Sequence, residues 1–392
     1  MAAAVSFFVA VGYGLIIPAI PIFARTFGST NSQVGLIISA FAIMRLVSGI
    51  PSGWMVEKLG ERLVLGAGLY MVALSMIASA LSQSYLQLLI FRTAGGLGSV
   101  MFSVSANSLI LRVTQDSDRG RAQSLYNGGF LIGGIAGPAF GGLLISISPR
   151  APFYIYAITL TIAATIALFF LHERRLGDRA SAKSNVGEVM SIKEALRIRP
   201  YFYALILAFV SNWVLFGMRS SILPLYVIED LKGTATLVGV SFALAALTQG
   251  LVMVRAGRYA DRHGRKPVLI TGYLFIGLAL IILIFSFAPW VFTVAMVVMG
   301  FGAAMAASNA AIVGDVIKGR SSRAVAVWQM AGDAGMMVGP ILLGYVSDLA
   351  SFRSAIALTG VIFLFALAVA LKIPETNSSR LGDSSRPQIQ EA

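Results

Sequence analysis

Gly53-Trp54-Met55-Val56-Glu57-Lys58-Leu59-Gly60-Glu61-Arg62 returns about 203 residues later as Gly257-Arg258-Tyr259-Ala260-Asp261-Arg262-His263-Gly264-Arg265-Lys266. Other pairs keep nearly the same offset. Gly133-Gly134-Ile135-Ala136-Gly137-Pro138 returns as Gly335-Met336-Met337-Val338-Gly339-Pro340, and Gly14 and Pro21 match Gly217 and Pro224. Arg121-Ala122-x-x-x-Tyr126-Asn127 matches Arg323-Ala324-x-x-x-Trp328-Gln329. Two related halves in one apolar chain imply a pseudo-symmetric helical bundle with a central pathway, the plan of many secondary transporters.

The composition fits that plan. Hydrophobic residues make up 57% of the chain and charged residues 12%, about half the charge of a soluble domain. A mean hydropathy of +0.82 suits the bilayer as solvent. Cys is absent, which excludes disulfides and thiolate chemistry, and the two His residues, His172 and His263, lie in charged connections and form no metal cluster. A net charge of +13 suggests nucleic acid only until its distribution is read: the cations sit between apolar runs.

Runs of about 20 apolar residues can cross the hydrocarbon core. Twelve are expected, near 2–24, 33–56, 63–82, 85–111, 122–146 and 152–171, then 201–227, 236–256, 267–287, 290–314, 323–347 and 354–372. The fold class is therefore an all-α membrane protein with twelve transmembrane helices in two six-helix halves. The halves are 1–171 and 201–372, a polar segment 172–200 links them, and 373–392 reads as a disordered polar tail. Of the 30 Lys and Arg, 23 follow even-numbered spans or lie in the tail, and four (Arg25, Arg150, Lys232, Arg353) follow odd-numbered spans. Arg45, Arg92 and Arg219 lie inside spans. That asymmetry places both termini and the linker in the cytoplasm of a multi-pass protein.

The repeated loop, Gly-x-x-x-[Asp/Glu]-[Arg/Lys]-x-Gly-x-[Arg/Lys], resembles the signature loop of the major facilitator superfamily and stands after spans 2 and 8, where that family has it. Leu89-x-x-Arg92-x-x-Gly95-Gly96-x-Gly98 in span 4 resembles the family's membrane-embedded arginine motif. Gly133-x-x-x-Gly137-Pro138-x-x-Gly141-Gly142 in span 5 resembles the motif of its twelve-span drug:proton antiporters. The resemblance implies a monomeric transporter of the plasma membrane, without cofactor or metal and not an enzyme, whose partners are a small-molecule substrate, protons and lipid.

Individual residues then acquire expected roles. Gly53, Glu57 and Arg62, with Gly257, Asp261, Arg262, Arg265, Lys266 and Asp315, form a cytoplasmic gate, its glycines serving tight turns and close helix approach. The same cations would also serve plain positive-inside anchoring. Gly133, Gly137 and Gly141 lie on one helix face that lets backbones pack closely in lipid, and Pro138 favours a kink.

Charges inside the membrane are costly and usually functional. Arg92 is a coupling candidate by resemblance. Arg45 and Asp333 lie roughly 18 and 16 Å from opposite faces at 1.5 Å per residue, so both reach the middle of a core about 30 Å thick. Spans 2 and 11 pack together in the family fold, which makes Arg45 and Asp333 a candidate proton-coupling pair, with Gln329 and Met337 on the face of Asp333. Tetracycline-type exporters, which span 1 resembles, carry an acid a few residues before Gly12. This chain has Ser6, Phe7, Phe8 and Val9 there, so Asp333 would have to supply that function.

Arg219 is expected at a substrate site or at an outer gate with Glu229 or Asp230, and Tyr13, Asn107 and Asn309 line the pathway with Ser103, Trp213, Met218 and Met305. Proton-driven export of amphipathic or hydrophobic molecules is the first reading. Uptake of a small organic anion is the second, with Arg45 and Arg219 as its ligands, because guanidinium forks match carboxylates. No Gly-x-x-x-x-Gly-Lys-[Ser/Thr] loop speaks for ATP-driven pumping.

Overall fold

The computed structural model describes residues 2–113, 119–170, 192–317 and 322–376, and all their regular structure is helical. Helices stand at each of the twelve expected places. Nine of them are long and apolar enough to cross a membrane among the described residues, ten if the bent pair Asn31–Val47 and Gly49–Leu59 counts as one span. Span 11, Ser322–Leu349, is outside that count and carries Arg323, Gln329, Asp333 and Asp348. Large apolar side chains point outward in strips. Val361, Leu364 and Phe365 on span 12 are each at least 60% exposed, a surface that lipid rather than water satisfies.

The chain forms two compact units, one of Met1–Ser184 with Ser220–Ala243 and the other of Asn185–Arg219 with Leu244–Ala392. In the first unit, span 1 (Ala2–Arg25) packs on span 5 (Arg119–Ile147) and span 6 (Ala151–Phe170). Span 3 (Glu61–Leu81) packs on span 4 (Tyr85–Val113) and span 6, and span 2 on span 4. The second unit repeats this plan with span 11 on the first part of span 7 (Arg199–Asn212) and span 9 (Arg265–Ile284) on spans 10 and 12.

Small residues decide how closely these helices approach. A methyl group added to Gly137 would stand 2.7 Å from the Gly14 Cα, and one on Gly141 2.7 Å from the Leu15 carbonyl oxygen, so the span 5 glycine face is filled by the backbone of span 1. Gly335 likewise abuts the Phe209 carbonyl in span 7. The seam is looser at Gly339, where an added methyl would meet the Gly217 Cα at 3.4 Å. Gly68 faces Gly98 between spans 3 and 4, and Gly272 faces Gly302 between spans 9 and 10. The repeat reaches even the connections that follow odd-numbered spans: Arg150 donates to the Ser82 carbonyl at 3.3 Å, and Arg353 donates to the Ser286 carbonyl at 3.1 Å.

Breaks in the helices have local causes. Span 2 bends by 49° at Ser48, three residues before Pro51, whose ring lacks the donor that helix continuation needs. Span 7 carries two π-helical stretches, Trp213–Met218 and Tyr226–Asp230, on either side of Arg219–Leu225 with its Pro224. The start of span 2 is fixed by a capping box between Thr30 and Gln33.

Two expectations need correction. Of the four loop glycines, Gly60 and Gly264 do adopt positive φ, +83° and +107°, and each begins the next helix. Gly53 and Gly257 sit in helices with open space where a side chain would go, so neither close approach nor a turn explains them. At the start of the tail expected to be disordered from 373, Ile373 and Thr376 are buried and Glu375 is bonded within the second unit, while Pro374 is exposed.

Candidate functional site

The first unit holds a polar cluster surrounded by membrane-spanning helices. Its centre is Arg92, three per cent exposed, whose Nε and Nη1 have no hydrogen-bond partner. Its guanidinium carbon lies 4.0 Å from the centre of the Phe41 ring, a cation–π contact. Among the described residues three ionisable groups reach it electrostatically, Tyr156, Tyr13 and Arg45, and none is a carboxylate. Arg45 donates Nη1–H to the Ser99 hydroxyl, and Ser103 donates to the Ser99 carbonyl at 2.9 Å. A guanidinium buried without a counter-charge costs several kcal/mol.

Glycines build this cluster. The ring of Tyr156 occupies the volume a side chain at Gly12 would need. A methyl on Gly96 would stand 2.6 Å from the Phe41 carbonyl oxygen, so Gly96 lets span 4 approach span 2 and sets Phe41 under Arg92. Sequence reasoning found Arg92, Arg45 and Tyr13 because of their type and depth. It missed Tyr156, Phe41, Gly12 and Gly96, which only the packing of four helices brings together.

In the second unit Asn309 is buried and donates Nδ2–H to the Ala204 carbonyl at 3.1 Å, while its Oδ1 has no partner. Asp333 is half-buried on span 11, next to Gly332, whose neighbour is the Asn212 side chain. Asp333 and Arg45 belong to different units. Arg219 begins the helical piece between the two π stretches and is half-buried. The side chain of Asn107 lies outside the described residues.

Glu229, which the sequence suggested as a partner of Arg219, pairs instead with Arg25: Nε to Oε1 is 2.6 Å and Nη2 to Oε2 is 2.9 Å. Arg25 also donates to the Ser29 carbonyl and the Asn31 side chain. The pair joins the end of span 1 to the end of span 7 inside the first unit.

At the ends expected to face the cytoplasm, Arg265 bonds Asp261 at 2.5 Å and Asp315 at 3.2 Å. Glu375 accepts the backbone N–H groups of Arg265 at 2.7 Å and Lys266 at 3.1 Å, placing a carboxylate at a helix N-terminus where the dipole favours it. The sequence pointed to Asp261, Arg265 and Asp315 but missed Glu375. Arg262 is exposed. The first copy is built differently: Arg62 donates to the Leu168 carbonyl, Glu61 accepts from Ser108 at 3.0 Å, and Glu57 is exposed.

Comparison with known proteins agrees with this architecture. The chain is 25% identical to an uncharacterized MFS-type transporter of Methanocaldococcus jannaschii over 86% of its length and 88% of that protein. It is 26% identical to the quinolone resistance protein NorA of Staphylococcus aureus, but over only about half of each chain (52% and 53%). Two crystal structures of a bacterial homologue of the human lysosomal transporter Spinster, inward-facing and either unoccupied or occupied, superpose with TM-scores of 0.76 and 0.77. Those alignments cover 94% of both chains at 16% identity and speak to the fold alone. The sequence profile of the Major Facilitator Superfamily matches residues 2–231 and 214–390. With that match over nearly the whole chain and the helical repeat beneath it, the chain belongs to the Major Facilitator Superfamily, whose members are membrane transporters rather than enzymes.

Proposed function

We propose that this protein is a proton-coupled exporter of amphipathic or hydrophobic small molecules, working as a monomer in the plasma membrane by alternating access of two six-helix halves, 1–171 and 201–372. The observation that carries this reading is the aromatic-walled cluster around Arg92, a buried polar site built from four helices of a transporter fold. The glycine face of span 5 packed on span 1 supports it, since that motif resembles the drug:proton antiporter pattern. The partial likeness to a quinolone resistance protein supports a drug-like solute.

In this reading Asp333, the acid within span 11, carries the proton. Protonation of Asp333 favours one state, and substrate favours the other. Asp261, Arg265 and Asp315 tie the cytoplasmic ends together in part of the cycle, and Arg219 and Asn309 contact substrate. Uptake of a small organic anion is the second reading, favoured by the lack of a carboxylate among the described groups that act on Arg92.

Proteoliposomes with an internal pH dye test both readings. Under an imposed pH gradient, lipophilic compounds are expected to trigger proton movement in the wild type and not in Asp333→Asn. Proton movement with carboxylates alone would replace export by anion uptake. Equal rates in wild type and Asp333→Asn would refute coupling through Asp333.

A further inference from the structure

We propose that the transported molecule carries an anionic group, and that Arg92 and Arg45, with the hydroxyls of Tyr13 and Tyr156, bind it inside the first unit. The inference rests on the transporter reading and names the substrate class for that site. It holds for either direction of transport.

Arg92 is the starting point. Its buried Nε and Nη1 donors have no partner, and the groups around it are a second guanidinium and two phenols. Of the acids described in the first unit, Glu229 is bonded to Arg25, Glu61 to Ser108, and Glu57 and Asp230 are exposed. Arg92 feels the like charge of Arg45 and that of no described carboxylate, which is repulsive in a low-dielectric setting. Phe41 offsets only part of that, because a cation–π contact leaves the in-plane N–H donors unmet.

An anion between the two guanidiniums would neutralise the pair and accept the orphan N–H bonds, the planar geometry for which arginine suits carboxylates. Phenol O–H groups can donate to the same oxygens. The aromatic rings of Phe41, Tyr13 and Tyr156 would then hold the apolar body that adjoins the anionic group. The chemistry that fits is an amphipathic carboxylate.

The test uses the full-length purified protein in detergent and three probes that share one aromatic body: an aryl carboxylate, its methyl ester and the corresponding alkylammonium. Affinity is read by titration calorimetry and by the ligand-induced rise in Tm. The carboxylate is expected to bind wild type at least about tenfold more tightly than the ester, the worth of a charge-assisted hydrogen bond. Arg92→Gln is expected to lose that preference while still binding the ester, and Arg92→Lys to keep part of it.

Ligand-free Arg92→Gln is expected to melt at or above the wild-type temperature, because it removes a buried charge with two unmet donors. A purely structural arginine would give a lower Tm. If Arg92→Gln cannot be purified, Arg45→Gln and Tyr13→Phe take its place, with a smaller loss of preference expected. Ester or ammonium binding equal to carboxylate in wild type, no binding by any probe, or a preference that survives the substitutions overturns the proposal. Flux in proteoliposomes separates the two levels. Carboxylate preference without transport of any probe defeats the transporter reading and leaves the anion site. Transport without carboxylate preference defeats the anion site alone.

Discussion

Gly12 has no chemistry of its own, yet the position of Tyr156 depends on it. The tyrosine ring fills the space where a side chain at residue 12 would stand. Gly12→Ala should therefore push Tyr156 away from Arg92 and cost about 1–3 kcal/mol, the usual range for overpacking. A Tm shift in the ligand-free protein, with a weakened carboxylate preference, checks this. Gly53→Ala and Gly257→Ala should be neutral or stabilising by up to about 1 kcal/mol, because both glycines are helical and nothing stands within 4 Å of the added methyl group.

The sequence reveals one class of residue and hides another. Arg45, Arg92 and Asp333 are legible because a charge within an apolar run is visible without knowing the fold. Gly60 and Gly264 are legible because each ends a repeated motif at a turn. Tyr156, Phe41, Glu375 and the Arg25–Glu229 pair are not, since each depends on a partner many residues away that only helix packing supplies.

At the scale of helices, the two copies of the glycine seam differ in tightness. In span 5 the glycines touch the backbone of span 1, while Gly339 in span 11 keeps ordinary contact distance from Gly217. Gly137→Ala should destabilise the protein by about 1–3 kcal/mol. Gly339→Ala should be neutral or stabilising by up to about 1 kcal/mol, the helix-propensity gain of Ala over Gly. Thermal unfolding of the two variants side by side checks the difference, and equal losses would contradict it. The sequence prints these glycines identically. The looser contact falls where Gly217 lies in the π-helical stretch Trp213–Met218, which has no counterpart beside Gly14 in span 1.

For the whole molecule, the repeat in sequence reappears as a repeat in structure, down to Arg150 on Ser82 and Arg353 on Ser286. The all-helical class and the family were legible because apolar run length and motif placement follow from the bilayer itself. Orientation remains a proposal with a direct test. The chain has no Cys, so single cysteines can be introduced without background. In intact cells, a membrane-impermeant maleimide should label Gln83→Cys, after span 3, and should leave Lys193→Cys unlabelled until the cells are opened. The reverse pattern would invert the topology.

The slack beside Gly339 has a mechanical meaning. Atoms in a well-ordered protein fluctuate by about 0.5 Å along each axis. At Gly137 such an excursion ends in collision, as it does at Gly335 against the Phe209 carbonyl, while at Gly339 it is absorbed. One repeated plan has thus produced a seam that is stiff in one copy and locally yielding in the other, and movement along the second seam should gather first where Gly339 faces Gly217 and Trp213.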